Sequence, residues 1–265
     1  MPTFSCVTTC KSRLDQLRQS LPRMMSFADT EVVVVDYDCP QGTSDWVQGA
    51  YPAARVVSVR GEPSFNAARA RNLGASATSA PWLLFLDVDT VAQIDLPEQL
   101  TPLLSPASFL LPDPRPAELY GALLVSRARY DQVDGYDEAL QGWGSEDEDI
   151  TERLTDVGLL VGSFPGALLQ SLHHDNALRV LHHEIKDRLV NNSVNHLYRH
   201  AKRDLTRLGM KLDLPDRKVL YAAVRQATFE PGARGFEVAV RNFMNPAIGR
   251  TIEAFLRYQL TPIDG

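Results

Sequence analysis

Two acidic segments hold the residue types best suited to chemistry. The first is Asp87-Val88-Asp89, at the end of an apolar run that starts at Trp82. Read as a strand, Trp82–Asp89 alternates its side chains, so both carboxylates share one face and Val88 takes the other. Two such carboxylates repel unless a cation lies near them. Oxygen ligands suit a hard divalent ion, Mn2+ or Mg2+, and such an ion readily bridges to a diphosphate. A solvated strand end explains the same residues without any site. The second segment is Gly142-Trp143-Gly144-Ser145-Glu146-Asp147-Glu148-Asp149. Ser145 and Glu148 have the spacing of a capping box, so a helix is expected to begin here. Ile150, Leu154 and Val157 mark its buried face, and Asp147 lies one turn before Ile150 on that side. Asp147 then faces a cleft, where the helix N-terminus favours the ionised form that a general base needs. A plain first-turn acid is the structural alternative. Trp143 between two glycines is what a lid over substrate requires.

Two further groups are weaker. Phe65-Asn66 precedes Arg69, Arg71 and Asn72 in an Ala-rich segment. Arg69 and Arg71 are two apart, so on a helix they cannot face one point. One can reach a diphosphate while the other is structural. His173-His174 could add a neutral imidazole to an oxygen-rich manganese site, although a surface or capping pair is commoner. His182, His183, His196 and His200 read as solvated positions on a long helix. His196 and His200 have i,i+4 spacing but lack the Glu of a zinc-protease motif.

The elements that position these residues alternate. Thr3–Thr9, Glu31–Asp38 with its run Val32–Val35, Arg55–Arg60, Trp82–Asp89 and Gly121–Ser126 read as strands. Leu14, Leu17, Leu21 and Met24 recur at helical spacing, and Ser64 is a candidate cap for a helix reaching Ala77. This order predicts an α/β fold, a mostly parallel sheet flanked by helices. Ligands bind beyond the carboxyl ends of such strands, where Asp36, Asp38, Asp87 and Asp89 gather. From residue 176 the pattern changes. Leu178, Leu181, Ile185 and Leu189 begin a helical stripe that continues through Leu197, Ala201 and Leu205. Val219–Gln226 is a second helix, and Asn245-Pro246 reads as a cap with an N1 proline before Ile248, Ile252 and Phe255. The expectation is a catalytic domain over 1–175 and a helical extension over 176–265 packed on it.

Charge and composition narrow the partners. The chain has 265 residues and a net charge of −6. Residues 1–175 carry 12 Lys+Arg against 24 Asp+Glu, and residues 176–265 carry 15 against 9. An acidic first part disfavours nucleic acid, whose binding needs a basic footprint. The basic second part could meet an anionic membrane surface, although solvated helix faces are the commoner cause of such charge. Cys6, Cys10 and Cys39 are too few and odd in number for a disulfide framework. No apolar run approaches the roughly 18 residues of a membrane span, and no secretory leader is evident. The expectation is a cytoplasmic protein, with peripheral contact at the inner membrane face through its basic tail as a further possibility.

Taken together, Phe65-Asn66, Asn72-Leu73-Gly74, Asp87-Val88-Asp89, Gly135-Tyr136, the Gly142–Asp149 segment and His174 resemble a GT-A-type nucleotide-sugar glycosyltransferase. The likeness is to the lactose-synthase type of β-galactosyltransferase and its bacterial relatives, and it spans roughly Thr3 to Arg179. It implies an inverting transfer of galactose or N-acetylgalactosamine from a UDP-sugar to a saccharide or lipid-linked saccharide, as in polysaccharide biosynthesis. It also implies roles for single residues. Asp36 and Asp38 match acids near the nucleoside, Phe65 a residue packing on the uracil, and Arg71 a nucleoside or phosphate contact. Asp87 matches a ribose-side contact and Asp89 a manganese ligand. Glu146 matches a sugar contact and Asp147 the base. His174 matches the metal-ligand histidine, with His173 the candidate if the register slips by one. Ala67 stands where the family has an arginine, so Arg69 is a candidate to replace its nucleotide contact. Ser171 stands where the family has a methionine ligand. Two other readings remain open. Asp87-Val88-Asp89-Thr90-Val91 also resembles the nucleophile motif of haloacid-dehalogenase-type phosphohydrolases, and a sugar-nucleotide-binding protein without catalysis would share the donor residues.

Overall fold

All four residues of Val32–Val35 are buried in the computed structural model, which describes residues 1–172, 180–229, 235–245 and 250–259. A strand apolar on both faces belongs inside a parallel sheet covered on both sides. The strands are β1 (Phe4–Cys10), β2 (Thr30–Tyr37), β3 (Arg55–Val59), β4 (Trp82–Phe85), β5 (Thr90–Ala92), β6 (Ser108–Asp113), β7 (Leu123–Ser126), β8 (Leu160–Pro165) and β9 (Leu169–Ser171). Seven of them form one sheet in the order β3-β2-β1-β4-β7-β6-β8. Only β7 runs against its neighbours, so the sheet is mostly parallel, as the alternation of elements predicts. The chain divides into two compact units, residues 1–138 with 146–186 and residues 139–145 with 187–265.

In the first unit the helices are α1 (Leu14–Met24), α2 (Thr43–Ala50), α3 (Ala67–Ser76), α4 (Leu96–Leu100), α5 (Arg127–Gln132) and α6 (Glu146–Asp156). Alternation along the strands splits the core between the two sheet faces. Leu84 joins Leu17, Leu21, Met24, Val34 and Leu96 on one side. Phe85 joins Val7, Phe109, Val125, Tyr136, Ile150 and Leu154 on the other. Each such side chain contributes about 1.5–3 kcal/mol of burial.

Three local expectations change. The cap of α3 is Asn66 rather than Ser64: the extended Asn66 accepts the Arg69 N–H on its side chain at 2.9 Å. Strand β4 ends at Phe85, not at Asp89. Beyond it Asp87 and Asp89 pair with Arg71 and Arg13 outside the sheet. Asp87–Asp89 form a turn closed by the Thr90 N–H on the Asp87 carbonyl at 2.9 Å. Ser145 has φ +72°, not the extended backbone of an N-cap.

In the second unit α7 (Arg188–Arg207) packs on α8 (Leu214–Phe229) through Val194, Tyr198, Ala201 and Leu205 against Leu220, Tyr221 and Val224. Helix α7 starts later than its apolar stripe suggests. Asp187 caps it, accepting from Leu189 N and Val190 N at 2.8 and 3.2 Å. Leu181 and Ile185 precede the helix, and Leu178 lies outside the described residues. His182 and His183 therefore lie before the helix, and His183 is buried rather than solvated. The described residues after α8 are not helical. Gly235–Asn245 (β10) and Arg250–Gln259 (β11) pair as antiparallel strands, with Glu237 ion-paired to Arg257 across them. Asn-Pro between two apolar runs is turn chemistry as much as cap chemistry, and β-branched and aromatic residues in the runs favour strands. Tyr258 ties the hairpin to α7, its hydroxyl donating to Asp204 Oδ2 at 3.0 Å. Among the described residues no helix is long and apolar enough to cross a membrane.

Candidate active site

Arg71 is the centre of the site. It lies on α3, is only 5% exposed, and its guanidinium stands 4.9 Å from the centre of the Tyr136 ring. Its two terminal nitrogens reach acids from two other elements. Nη2 donates to Asp87 Oδ1 at 2.9 Å, and Nη1 to Asp147 Oδ1 at 2.9 Å and Glu146 Oε1 at 3.5 Å. A planar fork with separate donors suits this better than a point charge. Asp87 has room only because residue 121 is glycine: a Cβ there would lie 2.1 Å from Asp87 Oδ2. Arg69, two residues away, faces elsewhere and pairs with Glu62 and Glu138 at 3.8 and 3.5 Å. The 200° between the two positions separates their roles as the spacing demands.

Three carboxylates surround one guanidinium. Burial, then the neighbouring Asp147 charge, pushes the Glu146 carboxyl up from its ordinary range. Burial also raises Asp147, and Arg71 opposes that rise. Burial works against the Arg71 charge, but Asp147, Asp87 and Glu146 outweigh it and hold the guanidinium protonated.

Asp89 points to a different cation. It is 5% exposed and accepts from Arg13 Nη1 at 3.2 Å. The two acids of the motif thus hold separate arginines rather than one shared strand face. Pairing of β5 with β9 brings Leu172 alongside, and its N–H donates to the Asp89 carbonyl at 2.7 Å. His173 and His174 follow directly and lie outside the described residues. Among the described residues no group of three His, Cys, Asp or Glu side chains is arranged to hold a metal.

The carboxyl end of β2 and the loop after it hold Asp36 and Asp38. Asp36 is 1% exposed and fully engaged by protein donors: Cys39 N at 2.9 Å, Ser44 N at 3.1 Å, Arg60 Nη1 at 3.2 Å and the Ser44 hydroxyl. It shapes the loop from within. Asp38, at φ +52°, accepts the Glu62 N–H at 3.2 Å. The Phe65 ring meets Tyr37 edge-on at 5.4 Å and lies 6.3 Å from His183. Trp143 belongs to the second unit, where the Arg188 guanidinium lies 4.1 Å over its ring.

Sequence reasoning missed Lys11 and Arg13, gave Tyr136 no role of its own and read the buried His183 as solvated. Lys11 is buried and donates to the carbonyls of Tyr37, Asp38 and Glu62, at 3.2, 3.3 and 2.6 Å. Arg13 holds Asp89. The available signal was position: Lys11-Ser12-Arg13 leaves the carboxyl end of a central strand, where such sheets bind ligands.

Comparisons agree with this architecture. Residues 1–116 match the family model of glycosyl transferase family 2, and residues 109–198 match that of the N-terminal domain of galactosyltransferase. No match is found among curated protein sequences. Among solved structures, a mannosyltransferase of Pyrobaculum calidifontis in complex with GDP-Man and Mn2+ is similar. Its TM-score is 0.57 at 17% identity, over 85% of this chain and 69% of that one. S. aureus TarS residues 1–349 in complex with UDP aligns with a TM-score of 0.56 at 14% identity, over 86% of this chain and 81% of that one. The fold is that of the GT-A glycosyltransferases. The chain is a glycosyltransferase: residues 1–116 match the family 2 model and residues 109–198 match that of the N-terminal domain of galactosyltransferase.

Proposed function

We propose that the protein is a metal-dependent inverting transferase that moves galactose or N-acetylgalactosamine from a UDP-sugar to a hydroxyl of a saccharide or glycoconjugate. The observation that carries this reading is the Asp147 carboxylate, fixed by Arg71 at 2.9 Å in the first turn of α6. A carboxylate held in one orientation but not consumed by a cap can take a proton from an acceptor hydroxyl during in-line attack on the anomeric carbon. Glu146 beside it contacts sugar. Asp87 and Arg71 serve the ribose side and the phosphates, and Asp36, Asp38, Phe65 and Arg69 frame the nucleoside.

The donor set fits a hard divalent ion. Asp89 supplies carboxylate oxygen, and one or two carboxylates plus substrate phosphates suffice for Mg2+ or Mn2+. His174, or His173, completes the set from the segment that follows Leu172. An ion held by Asp89 and His174, or His173, would supply positive charge against the departing diphosphate. The Mn2+ and UDP held by the two fold neighbours support the reading. Asp89→Ala is expected to weaken UDP binding in the presence of Mn2+ by about tenfold or more, equivalent to about 1.4 kcal/mol. Titration calorimetry checks it. Undiminished binding that needs no metal would sink the metal bridge.

A lipid-linked acceptor at an anionic membrane face is the finer version of this reading. Its support is the excess of 15 Lys+Arg over 9 Asp+Glu in residues 176–265. The basic amphipathic helix expected near the C-terminus is replaced by strands, so charge alone carries the idea. Co-sedimentation with anionic liposomes at low salt, reversed by high salt, is the expected result. Protein that stays in the supernatant points to a soluble acceptor.

A further inference from the structure

One face of α7 touches every residue of the Gly142–Ser145 loop. A Cβ at Gly142 would lie 2.1 Å from Asn191 Oδ1, and one at Gly144 would lie 2.7 Å from Asn192 Oδ1. Arg188 covers Trp143, and the Ser145 hydroxyl donates to Asn192 Oδ1 at 3.3 Å. Positions 188, 191, 192 and 195 recur at i, i+3, i+4 and i+7, the spacing of one helix face.

Asn195 is the best placed of these residues. It is 1% exposed. Its Nδ2 donates to the Gly144 carbonyl at 2.8 Å and, longer, to the Trp143 carbonyl at 3.4 Å. Its Oδ1 accepts from the Tyr221 hydroxyl at 2.9 Å, and that hydroxyl also lies 3.1 Å from the Gln141 carbonyl. The chain Tyr221–Asn195–Gly144 thus uses both ends of one buried amide. An amide is needed for this, because only Asn or Gln offers a donor and an acceptor on one short planar group. Gly142 and Gly144, at φ +76° and +95°, occupy a backbone region that the loop does not hold by regular structure. External hydrogen bonds therefore set its path.

We propose that Asn195, oriented by Tyr221, is a positioning residue that fixes the Gly142–Ser145 loop, the segment to which Glu146 and Asp147 are joined directly by the Ser145–Glu146 peptide bond. This rests on the reading of Asp147 as base. A displacement of about 1 Å at a reacting group can cost about 10²-fold in rate. Asn195 touches neither substrate nor reacting atoms. The loop that reads as a lid in the sequence is clamped from α7.

The test uses the full chain and two variants, Asn195→Ala and Tyr221→Phe, the second removing only a hydroxyl. The kcat for transfer is expected to fall about 10–100-fold in Asn195→Ala and less in Tyr221→Phe, with UDP–Mn2+ binding unchanged. Acrylamide quenching of the emission that Trp143→Phe removes is expected to increase in both variants, which reads the loop independently of any activity. A purely structural role would instead lower thermal stability and donor affinity together. Unchanged quenching, or increased quenching with kcat within twofold of wild type, overturns the proposal. If Asn195→Ala fails to fold, Tyr221→Phe decides by the same two readouts. If Asp147→Asn keeps wild-type turnover, the base reading falls by itself, and quenching still judges the loop contact.

Discussion

Asp147→Asn is expected to lower the transfer rate by about 10²–10⁴-fold, the usual cost of removing a general base. The substitution keeps the side-chain shape and an oxygen for Arg71 Nη1, which lies 2.9 Å from Asp147 Oδ1. The site should therefore stay assembled, with UDP binding in calorimetry close to wild type. What is lost is the lone pair that accepts the acceptor proton. The pH dependence has a definite sign. Burial raises the Asp147 carboxyl above its ordinary value of 3.8 and Arg71 opposes the rise. A base acts ionised, so the rate falls as pH drops through that raised value, and the acid limb of the wild-type profile lies above 3.8. Near-normal turnover by folded Asp147→Asn would move the base elsewhere. Glu146 is then the first suspect, since its Oε1 lies 3.5 Å from the same nitrogen.

How far the site could be read without coordinates depends on which interactions are local. Val32–Val35 could be read as a buried strand because four consecutive apolar β-branched residues fit little else. The divergence of Arg69 and Arg71 could be read from helical period alone. Which one turns inward could not, because that depends on the packing of α3 on the sheet. The end of β4 was hidden by Leu86 and Val88, which continue the apolar pattern while the backbone leaves the sheet at Phe85. Lys11 and Arg13 belong to no motif, and their roles appear only once β1 is known to lie between β2 and β4. At the C-terminus, short apolar runs fit both periods, and Asn245-Pro246 serves a turn or a cap equally well. Asp187 is a cap residue by type, yet Leu181 and Ile185 extend the stripe past it on the wrong side.

Removing the Arg71 guanidinium should have the largest effect on stability. Breaking a buried ion pair from one side typically costs about 3–5 kcal/mol, because a charge is left without compensation. Arg71→Met leaves the Asp87 and Asp147 charges without compensation, while Glu146, raised to about 8, is mostly protonated near neutral pH. The side chains of Asp87, Glu146 and Asp147 are 32%, 17% and 15% exposed, so water relieves part of the penalty and about 3 kcal/mol is the expected loss near neutral pH. Urea unfolding measures it. The pH dependence separates charge from packing. In the wild type Glu146 is already raised from its ordinary 4.5 to about 8, chiefly by burial. The folded state then binds more protons than the unfolded one, so this group's contribution is fully present below 4.5 and is lost as pH rises toward 8. Without Arg71 the Glu146 and Asp147 carboxyls rise further, and the deficit of the variant should widen with increasing pH and narrow as these acids become protonated. A packing defect has no such slope. Arg71→Lys keeps one charge but cannot donate to Asp87 and Asp147 from separate nitrogens of a planar fork, so it should fall between Met and wild type. A loss in Arg71→Met that is the same at every pH would mean that Arg71 acts by filling space over Tyr136. The three acids would then be solvated well enough to stand without it.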